Sequence, residues 1–167
     1  MQQNLTQLPC GLRASYGLRV ATPNDYEFLA ILYATTRSDE LDRAGFPMDQ
    51  RAAFCHMQFE AQQRHYRLYF ARAHDQVVIS NDSLIGRVLV ARAPDEIFLV
   101  DIALMPASRN LGIGSHIVAT LIAESKALVC PLRLYAEKNS RAQALYLRFG
   151  FTITGEEGVH DLMELNA

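Results

Sequence analysis

The sequence predicts an α/β (α+β) fold with a central mixed, mostly antiparallel sheet of about seven strands flanked by four helices. Two observations predict it. Apolar residues recur every second position in some segments and every third or fourth in others, and these segments follow one another in the order β-α-α-β-β-β-α-β-α-β-β. Short turns between consecutive strands favour antiparallel pairs, whereas the strand–helix–strand step near the middle favours a parallel pair.

Length and composition indicate a single domain, spanning residues 1–167, in which residues 1–14 form a loose tail. The net charge of -2 gives no reason to expect nucleic acid or a membrane surface as a partner. No apolar run is long enough for a transmembrane helix, and the first residues lack the pattern of a signal peptide, so we expect a cytoplasmic protein. Cys10, Cys55 and Cys130 are far apart, as is typical of reduced thiols without zinc.

The first half of the chain carries the signals of two helices and a hairpin. Thr22-Pro23-Asn24-Asp25 is typical of a helix start, and the period changes to two after Asp75. In chain order we expect a strand over 17–21, a helix from Tyr26, a second helix beginning at 46–49 with Phe54, Met57 and Ala61 on one face, and strands over 76–80 and 85–91 around an Asn81-Asp82 turn.

The second half contains the longest apolar run. Residues 97–105 are apolar except for Asp101, which predicts a strand buried on both faces, and Pro106 ends it. There follow a helix with Ile113, Ile117, Val118, Leu121 and Ile122 on its apolar face, a strand over 132–136, a helix over 142–149 closed by Gly150, and strands near 151–154 and 159–165.

A glycine-bearing loop joins the buried strand to the next helix. The first N–H groups of a helix lack helical partners and lie at its positive end, so this loop predicts an anion site. Gly112 and Gly114 leave room for a phosphate beside the backbone, and Arg109 adds a cation. The loop has neither the Gly-Lys-Ser/Thr end of a P-loop nor the third glycine of a dinucleotide fingerprint, and a plain turn before a helix is the alternative.

Two sequence blocks together resemble those of a known family. Arg109-x-x-Gly112-x-Gly114, after a strand ending at 102–106, resembles the acetyl-CoA signature of the GNAT N-acetyltransferase superfamily. Residues 139–151 are similar to the family's Asn-x-x-Ala-x-x-Leu-Tyr-x-x-x-Gly-Phe segment. The resemblance extends from Leu18 to the C-terminus, and residues 86–114 resemble an uncharacterised bacterial subgroup.

The resemblance implies acetyl-CoA as cosubstrate and no metal. In the family, the signature strand carries a bulge, splays from the next strand and pairs through its backbone with the pantetheine arm. Asn139 is implied to bond near the pantetheine or the thiol, and an N-cap of the following helix is a compatible alternative. The implied cofactor-binding residues are Ile102, Ala103 and Leu104 for the pantetheine, and Arg109, Asn110, Leu111, Gly112, Ile113, Gly114 and Ser115 for the pyrophosphate.

The resemblance also implies Tyr146 as the general acid for the leaving thiolate, with a core aromatic as the alternative. The attacking amine must be neutral, so a base or a relay water is expected. The position of the glutamate base of histone-modifying relatives corresponds to Phe98 here, which argues against assuming a histone substrate. Asp101 is the first candidate base, and a structural carboxylate bonded to backbone or to an arginine is its alternative. Glu96 lies near a turn and is expected to be solvated.

The second helix carries the candidate acceptor residues. Gln58, Gln62 and His65 share one helix face, with Tyr66 beside them, and we expect this face to bind a polar amine. A solvated surface is the alternative.

Together, these features predict an N-acyltransferase that transfers an acetyl group from acetyl-CoA to a primary amine by direct attack. A CoA-binding sensor or interaction domain without catalysis is the alternative. The expected partner is a small-molecule or peptide amine, without nucleic acid or membrane, and the terminal strands offer an edge for a homodimer.

Overall fold

A seven-stranded sheet organises residues 13–167, the part of the chain that the computed structural model describes. Four α-helices flank it within that range. The strands are β1 (Gly17–Val20), β2 (His74–Ser80), β3 (Ser83–Arg92), β4 (Ile97–Leu104), β5 (Leu132–Glu137), β6 (Thr152–Glu157) and β7 (His160–Leu165). The helices are α1 (Tyr26–Arg43), α2 (Met48–Tyr69), α3 (Ile113–Leu128) and α4 (Arg141–Arg148).

The spatial order of the strands is β1-β2-β3-β4-β5-β7-β6. Every neighbouring pair is antiparallel except β4 and β5, which are parallel and joined through α3. The predicted fold class, element order and single parallel step are therefore confirmed.

The β2–β3 hairpin is longer than the alternation predicts. Pairing continues from His74 opposite Val90 to Ser80 opposite Ser83. Asn81 and Asp82 connect the strands with φ values of 47° and 60°. Two residues with positive φ are what a two-residue hairpin of type I′ requires, so the predicted turn is confirmed.

The sheet separates two apolar cores. Val77 and Val78 are neighbours on β2 and belong to different cores, because successive strand residues point to opposite faces. The larger core contains the apolar face of α3, and the predicted residues Ile113, Ile117, Val118 and Leu121 are all buried there. The smaller core joins α1, α2 and the other sheet face through Leu29, Leu32, Phe59 and Val77.

The buried face of α2 differs from the predicted one. Met57 is 57% exposed and Ala61 is also exposed, whereas Cys55 and Phe59 are buried. Apolar residues are scattered around this 22-residue helix, so its periodicity offers more than one apolar stripe. Contact with α1 and the sheet selects the stripe that contains Phe59.

Residues 1–12 of the predicted loose tail, which spans residues 1–14, lie outside the described residues. The prediction is wrong for Arg13 and Ala14. The Arg13 N–H donates to the Leu111 carbonyl at 2.9 Å, and Ala14 packs against the larger core. These contacts attach the start of the described chain to the loop before α3.

Candidate active site

Strands β4 and β5 pair only along a short stretch. Ile97–Leu99 pair with Leu132–Leu134, and beyond them the two strands separate. The register between β3 and β4 shifts so that Leu89 faces Asp101 while Val90 faces Leu99, which leaves Val100 as an extra residue. Such a bulge bends the strand that carries it. We call the resulting opening, between residues 100–104 of β4 and 135–137 of β5, the β4–β5 gap.

Backbone groups of β4 face this gap at alternate residues. The Met105 N–H donates to the Ile85 carbonyl at 2.8 Å, which sets the phase of the antiparallel ladder. By that phase Ala103 bonds to β3, whereas Ile102 and Leu104 direct their N–H and C=O groups toward the gap.

Ala103 therefore differs from its two neighbours. Its carbonyl oxygen lies on the β3 side, 2.5 Å from where a Cβ on Gly86 would stand. Of the three residues implied to pair with a pantetheine arm, Ile102 and Leu104 have backbone groups directed at the gap.

The loop after β4 leads into an uncapped helix N-terminus. Gly112 is the N-cap of α3 with φ of 84°, a conformation that glycine adopts without steric cost. No side chain caps α3, and its first turn contains no acidic residue. The first helical bond runs from the His116 N–H to the Gly112 carbonyl at 2.9 Å, so the N–H groups of Ile113, Gly114 and Ser115 precede it. These donors are suited to an anion.

The Arg109 guanidinium contacts the end of β4 and helix α1. Its Nε donates to the Leu104 carbonyl at 2.8 Å. Its Nη2 lies 3.4 Å from the carbonyl oxygen and 3.3 Å from the hydroxyl oxygen of Thr35 on α1. The structure thus places Arg109 as a link between the end of β4 and α1, which the sequence pattern does not indicate.

Asp101 lies on β4 directly after the bulge, on the side of α1 and α2. Burial raises the pKa of its carboxyl to about 6, although Arg87, 3.9 Å away, opposes the rise. The charge of Asp75 adds to the rise, while the Ile102 N–H and the Tyr66 hydroxyl oppose it. The side chain remains 23% exposed and lines a small cavity together with Gln62 and Arg87. A carboxylate with this pKa can accept a proton at neutral pH.

Sequence reasoning missed Arg87, which controls this carboxylate. Arg87 is 3% exposed and donates Nε and Nη2 to Asp75 at 2.9 and 2.7 Å. Its guanidinium also lies 5.1 Å from the ring centre of Tyr66. Because Asp75 receives the short bidentate bonds, Asp101 keeps only a long contact with the arginine. The sequence could have identified Arg87, because it is a charged residue within the otherwise apolar alternation of β3.

Tyr146 lies on α4 within the larger core, where it is 4% exposed and packs beside Phe151. Burial raises the pKa of its hydroxyl, and the charge of Asp101 raises it further. Asp101 and Tyr146 lie on opposite faces of the sheet.

Asn139 does not cap α4, so the predicted capping role is wrong. The cap is Ser140, whose hydroxyl accepts the Gln143 N–H at 3.1 Å. Serine is as good a cap as asparagine and stands one residue nearer the helix. Asn139 has φ of 60° and donates its backbone N–H to Gln143 Oε1 at 2.8 Å. Its side chain is exposed and makes no hydrogen bond within residues 13–167.

The four predicted acceptor residues fall into two groups. Gln62 lines a cavity of about 30 Å³ beside Asp101, and the Tyr66 hydroxyl acts on the same carboxylate. A cavity of this size holds about one water molecule. Gln58 is half-buried outside the cavity lining, and His65 is exposed with its ring 4.7 Å from that of Tyr69.

An aromatic row, formed by Tyr66, Phe70, Phe98 and Tyr135, leads from Asp101 to β5. The ring centres of Tyr66 and Phe70 are 6.4 Å apart, and Phe70 stacks on Phe98 at 5.9 Å. Phe98 lies 5.8 Å from Tyr135 across the parallel strands. The row borders the gap on the side of α2 and offers apolar ring faces to a ligand.

Two features are absent from residues 13–167. No group of histidine, cysteine, aspartate and glutamate side chains there could hold a metal ion. None of the helices in that range has the length and apolar character needed to cross a membrane.

Solved structures with the same fold are numerous, although no curated protein sequence matches this chain. A PaiA N-acetyltransferase from Thermoplasma acidophilum in complex with coenzyme A is 17% identical, with a TM-score of 0.66 over 92% of this chain and 99% of that one. A GNAT acetyltransferase from Elizabethkingia anophelis with acetyl-CoA bound is 15% identical, with a TM-score of 0.60 over 91% and 98%.

A third similar structure, from Arabidopsis thaliana, is in complex with the bisubstrate analogue CoA-Ac-MVNAL and is 17% identical, with a TM-score of 0.62 over 92% of this chain and 99% of that one. At these identities the likeness shows the fold. A family model adds the sequence evidence, since that of the acetyltransferase (GNAT) family matches residues 32–151. This match spans most of the chain, including both predicted motif blocks, and the chain therefore belongs to the GNAT acetyltransferase family.

Proposed function

We propose that this chain transfers the acetyl group of acetyl-CoA directly to a primary amine inside the β4–β5 gap. One observation carries the proposal. The bulge at Val100 opens the sheet beside Asp101, which lies on the face of α1 and α2, while Tyr146 of α4 lies in the larger core on the other face. The pKa of about 6 on Asp101 suits a base, and the Tyr146 hydroxyl, whose pKa burial raises, is protonated at neutral pH and so has a proton to give.

The donor would lie along β4 and the start of α3. The Ile102 carbonyl and the Leu104 N–H would pair with the pantetheine arm as an added strand would, since the Ile102 N–H acts on Asp101 and the Leu104 carbonyl accepts from Arg109. The exposed Asn139 side chain is available at the far side of the gap. The N–H groups of Ile113, Gly114 and Ser115 would receive the pyrophosphate, while Asn110, Leu111 and Gly112 shape the loop and Arg109 holds it to α1.

Asp101 and Tyr146 would divide the proton transfers. Asp101 accepts the proton that the attacking nitrogen must lose, either directly or through a water in the adjacent cavity. Tyr146 gives a proton to the sulfur as the carbon–sulfur bond breaks. Its raised pKa keeps the hydroxyl protonated until that step. Acetyl-CoA supplies the activated thioester.

The acceptor would enter from the side of α1 and α2, opposite the donor. Gln62 and Tyr66 stand beside Asp101, and the aromatic row borders the approach. Gln58 and His65 lie farther out and stay predicted contacts for the outer part of the acceptor. This arrangement favours a small-molecule or peptide amine that carries an apolar group, and the bisubstrate complex of the Arabidopsis protein is compatible with a peptide.

We also propose that the chain works in the cytoplasm, without nucleic acid or membrane. The free, buried Cys55 and Cys130 suit a reducing compartment. The homodimer stays a prediction, supported by the position of β6 at the edge of the sheet.

An amine-panel assay that follows free thiol release from acetyl-CoA tests the function. We expect release with at least one amine, and we expect Tyr146→Phe to lower kcat by about 100-fold, the usual size of a lost general acid. The affinity for CoA should stay unchanged, because the phenylalanine keeps the contact with Phe151.

Tyr26→Phe is the matched control. It removes a hydroxyl that contacts Glu60 between α1 and α2, away from the gap, and should leave kcat unchanged. Full turnover by Tyr146→Phe would reject the acid role. Tight CoA binding without thiol release for any amine would favour a CoA-binding sensor instead.

A further inference from the structure

The loop at the phosphate end of the donor site carries one cation, Arg109, and its guanidinium hydrogen bonds with neutral acceptors on β4 and α1. Arg109 is engaged with Leu104 and Thr35, and the residues that follow it up to Ser115 carry no charge. Coenzyme A brings a pyrophosphate and a ribose phosphate. Proteins commonly bind phosphate groups through arginine or lysine side chains in addition to backbone N–H donors.

The segment from Arg13 to Tyr16 lies against this loop. The Arg13 N–H donates to the Leu111 carbonyl at 2.9 Å, in the middle of the loop. The Tyr16 hydroxyl lies 2.7 Å from Nδ1 of His116 in the first turn of α3, with the two rings edge to face. Two anchors therefore hold this segment beside the uncapped N–H groups.

A further contact fixes the same segment to the sheet. The Ser80 hydroxyl donates to the Ser15 carbonyl at 2.7 Å at the end of β2. The backbone of Arg13 is thus held in place. Its side chain is exposed and forms no ion pair within residues 13–167.

We propose that Arg13 binds a phosphate of acetyl-CoA, adding a cation beside the uncapped N–H groups of α3. This inference rests on the proposed function, since it places Arg13 in the donor site of that reaction. Tyr16 and His116 act as positioning residues, because their hydrogen bond sets the distance between the segment and α3. The arginine lies nearly a hundred positions before the signature loop in sequence, so the motif itself does not include it.

Equilibrium binding of CoA, without any acceptor, tests the inference. Arg13→Gln should weaken CoA binding by about tenfold, the effect of losing one charge-assisted hydrogen bond. Arg72→Gln is the matched control, since it removes the same charge from an exposed arginine just before β2, at the opposite end of the sheet from Ser80. It should bind CoA as the wild type does.

Charge dependence separates a phosphate contact from a structural role. Wild-type affinity should fall more steeply with added salt than that of Arg13→Gln, and Arg13→Lys should recover part of the loss. Thermal unfolding of all variants should coincide in the absence of CoA.

Equal CoA affinity and equal salt dependence for Arg13→Gln and Arg72→Gln would overturn the inference alone. Failure of the wild type to bind CoA would overturn the proposed function and, with it, this inference. Comparison of CoA with its 3′-dephospho form identifies the phosphate. If Arg13 contacts the ribose phosphate, Arg13→Gln should bind CoA and 3′-dephospho-CoA with equal affinity. If Arg13 contacts the pyrophosphate, Arg13→Gln should bind both ligands more weakly than the wild type does, by the same factor.

Discussion

The pKa values of Asp101 and Tyr146 are set by burial and by the charged residues near them. Asp75 holds Arg87 through two short bonds, so the guanidinium stands 3.9 Å from Asp101 and cancels only part of the effect of burial. The carboxyl consequently has a pKa of about 6. Tyr146 experiences burial and the same negative charge, which move its pKa upward as well. Both groups therefore have raised pKa values: Asp101 can accept a proton at neutral pH, and Tyr146 is protonated there.

Asp101 should impose a pH dependence on the reaction. A base acts when ionised, so kcat should rise with pH up to about 6 and level off above it. Asp101→Asn should lower kcat by about 100-fold at pH 7.5 and remove this rise. Steady-state rates from pH 5 to 8, expressed relative to the concentration of neutral amine, measure both effects. A retained rise in the variant would assign the base to another group.

The stability of the same variant provides the control. The pKa of Asp101 is higher in the folded state than the ordinary value of 3.8, so folding favours the protonated form. Its favourable contribution is present below pH 3.8 and is lost as the pH rises through about 6. Asp101→Asn should therefore be more stable than the wild type at pH 8, on the order of 1–3 kcal/mol, with a smaller gain at pH 5. Urea unfolding at the two pH values measures this difference.

Among the elements, β4 determines the site through one inserted residue. The apolar run, its end at Pro106 and the glycines after it are local signals, and the strand, the loop and α3 could be predicted from them. The family resemblance implied a bulge, but its position at Val100 could not be predicted, because Val100 suits either face of a buried strand. The contacts of Arg109 with Thr35 and of Arg87 with Asp75 could not be predicted from the sequence either, because they depend on how distant segments pack.

Asn139 illustrates the same limit at a helix end. Both Asn139 and Ser140 are favoured caps, and the backbone conformation decides between them. Asp101 could be identified as a candidate base from the sequence, because it is the one charged residue in an apolar strand. The value of its pKa could not be predicted, because it depends on the residues that pack around the carboxyl in the fold.

The position of β4 depends on Gly86 of β3. A Cβ at Gly86 would stand 2.5 Å from the Ala103 carbonyl oxygen and 2.6 Å from Leu104 Cδ2. The backbone contact cannot relax without moving β4, so Gly86→Ala should lower the free energy of unfolding by about 2 kcal/mol. It should also weaken CoA binding, because Leu104 shifts. Urea unfolding and CoA titration measure the two effects.

Gly17→Ala is the corresponding control, since a Cβ there would have no neighbour within 4 Å. Gly17→Ala should change neither the free energy of unfolding nor the affinity for CoA. Wild-type stability and affinity in Gly86→Ala would show that β4 does not need this close approach.

For the whole molecule, the β4–β5 gap divides the sheet into β1–β4 and β5–β7. Within residues 13–167, backbone pairing joins the two parts along the short stretch of Ile97–Leu99 with Leu132–Leu134 and through the Ile97 N–H, which donates to the Pro131 carbonyl at 2.9 Å. The larger core continues across the division, with Leu99 on one side and Leu134 on the other. The two parts are therefore held together by α3, α4 and this core, while the gap is left for a ligand to bridge.

Binding of CoA in the gap should stabilise the entire fold. At a concentration of 100 Kd, a ligand specific for the folded state adds about 2.7 kcal/mol, which corresponds to a Tm increase of about 5–10 °C for a domain of this size. Hydrogen exchange should slow at the N–H groups of Leu104, Gly114 and Ser115, which face the proposed donor. The Ala103 N–H already bonds to β3 by the observed register, so its protection should change only with global stability. A Tm increase without added protection at Leu104 would place CoA outside the β4–β5 gap and contradict the proposed donor site.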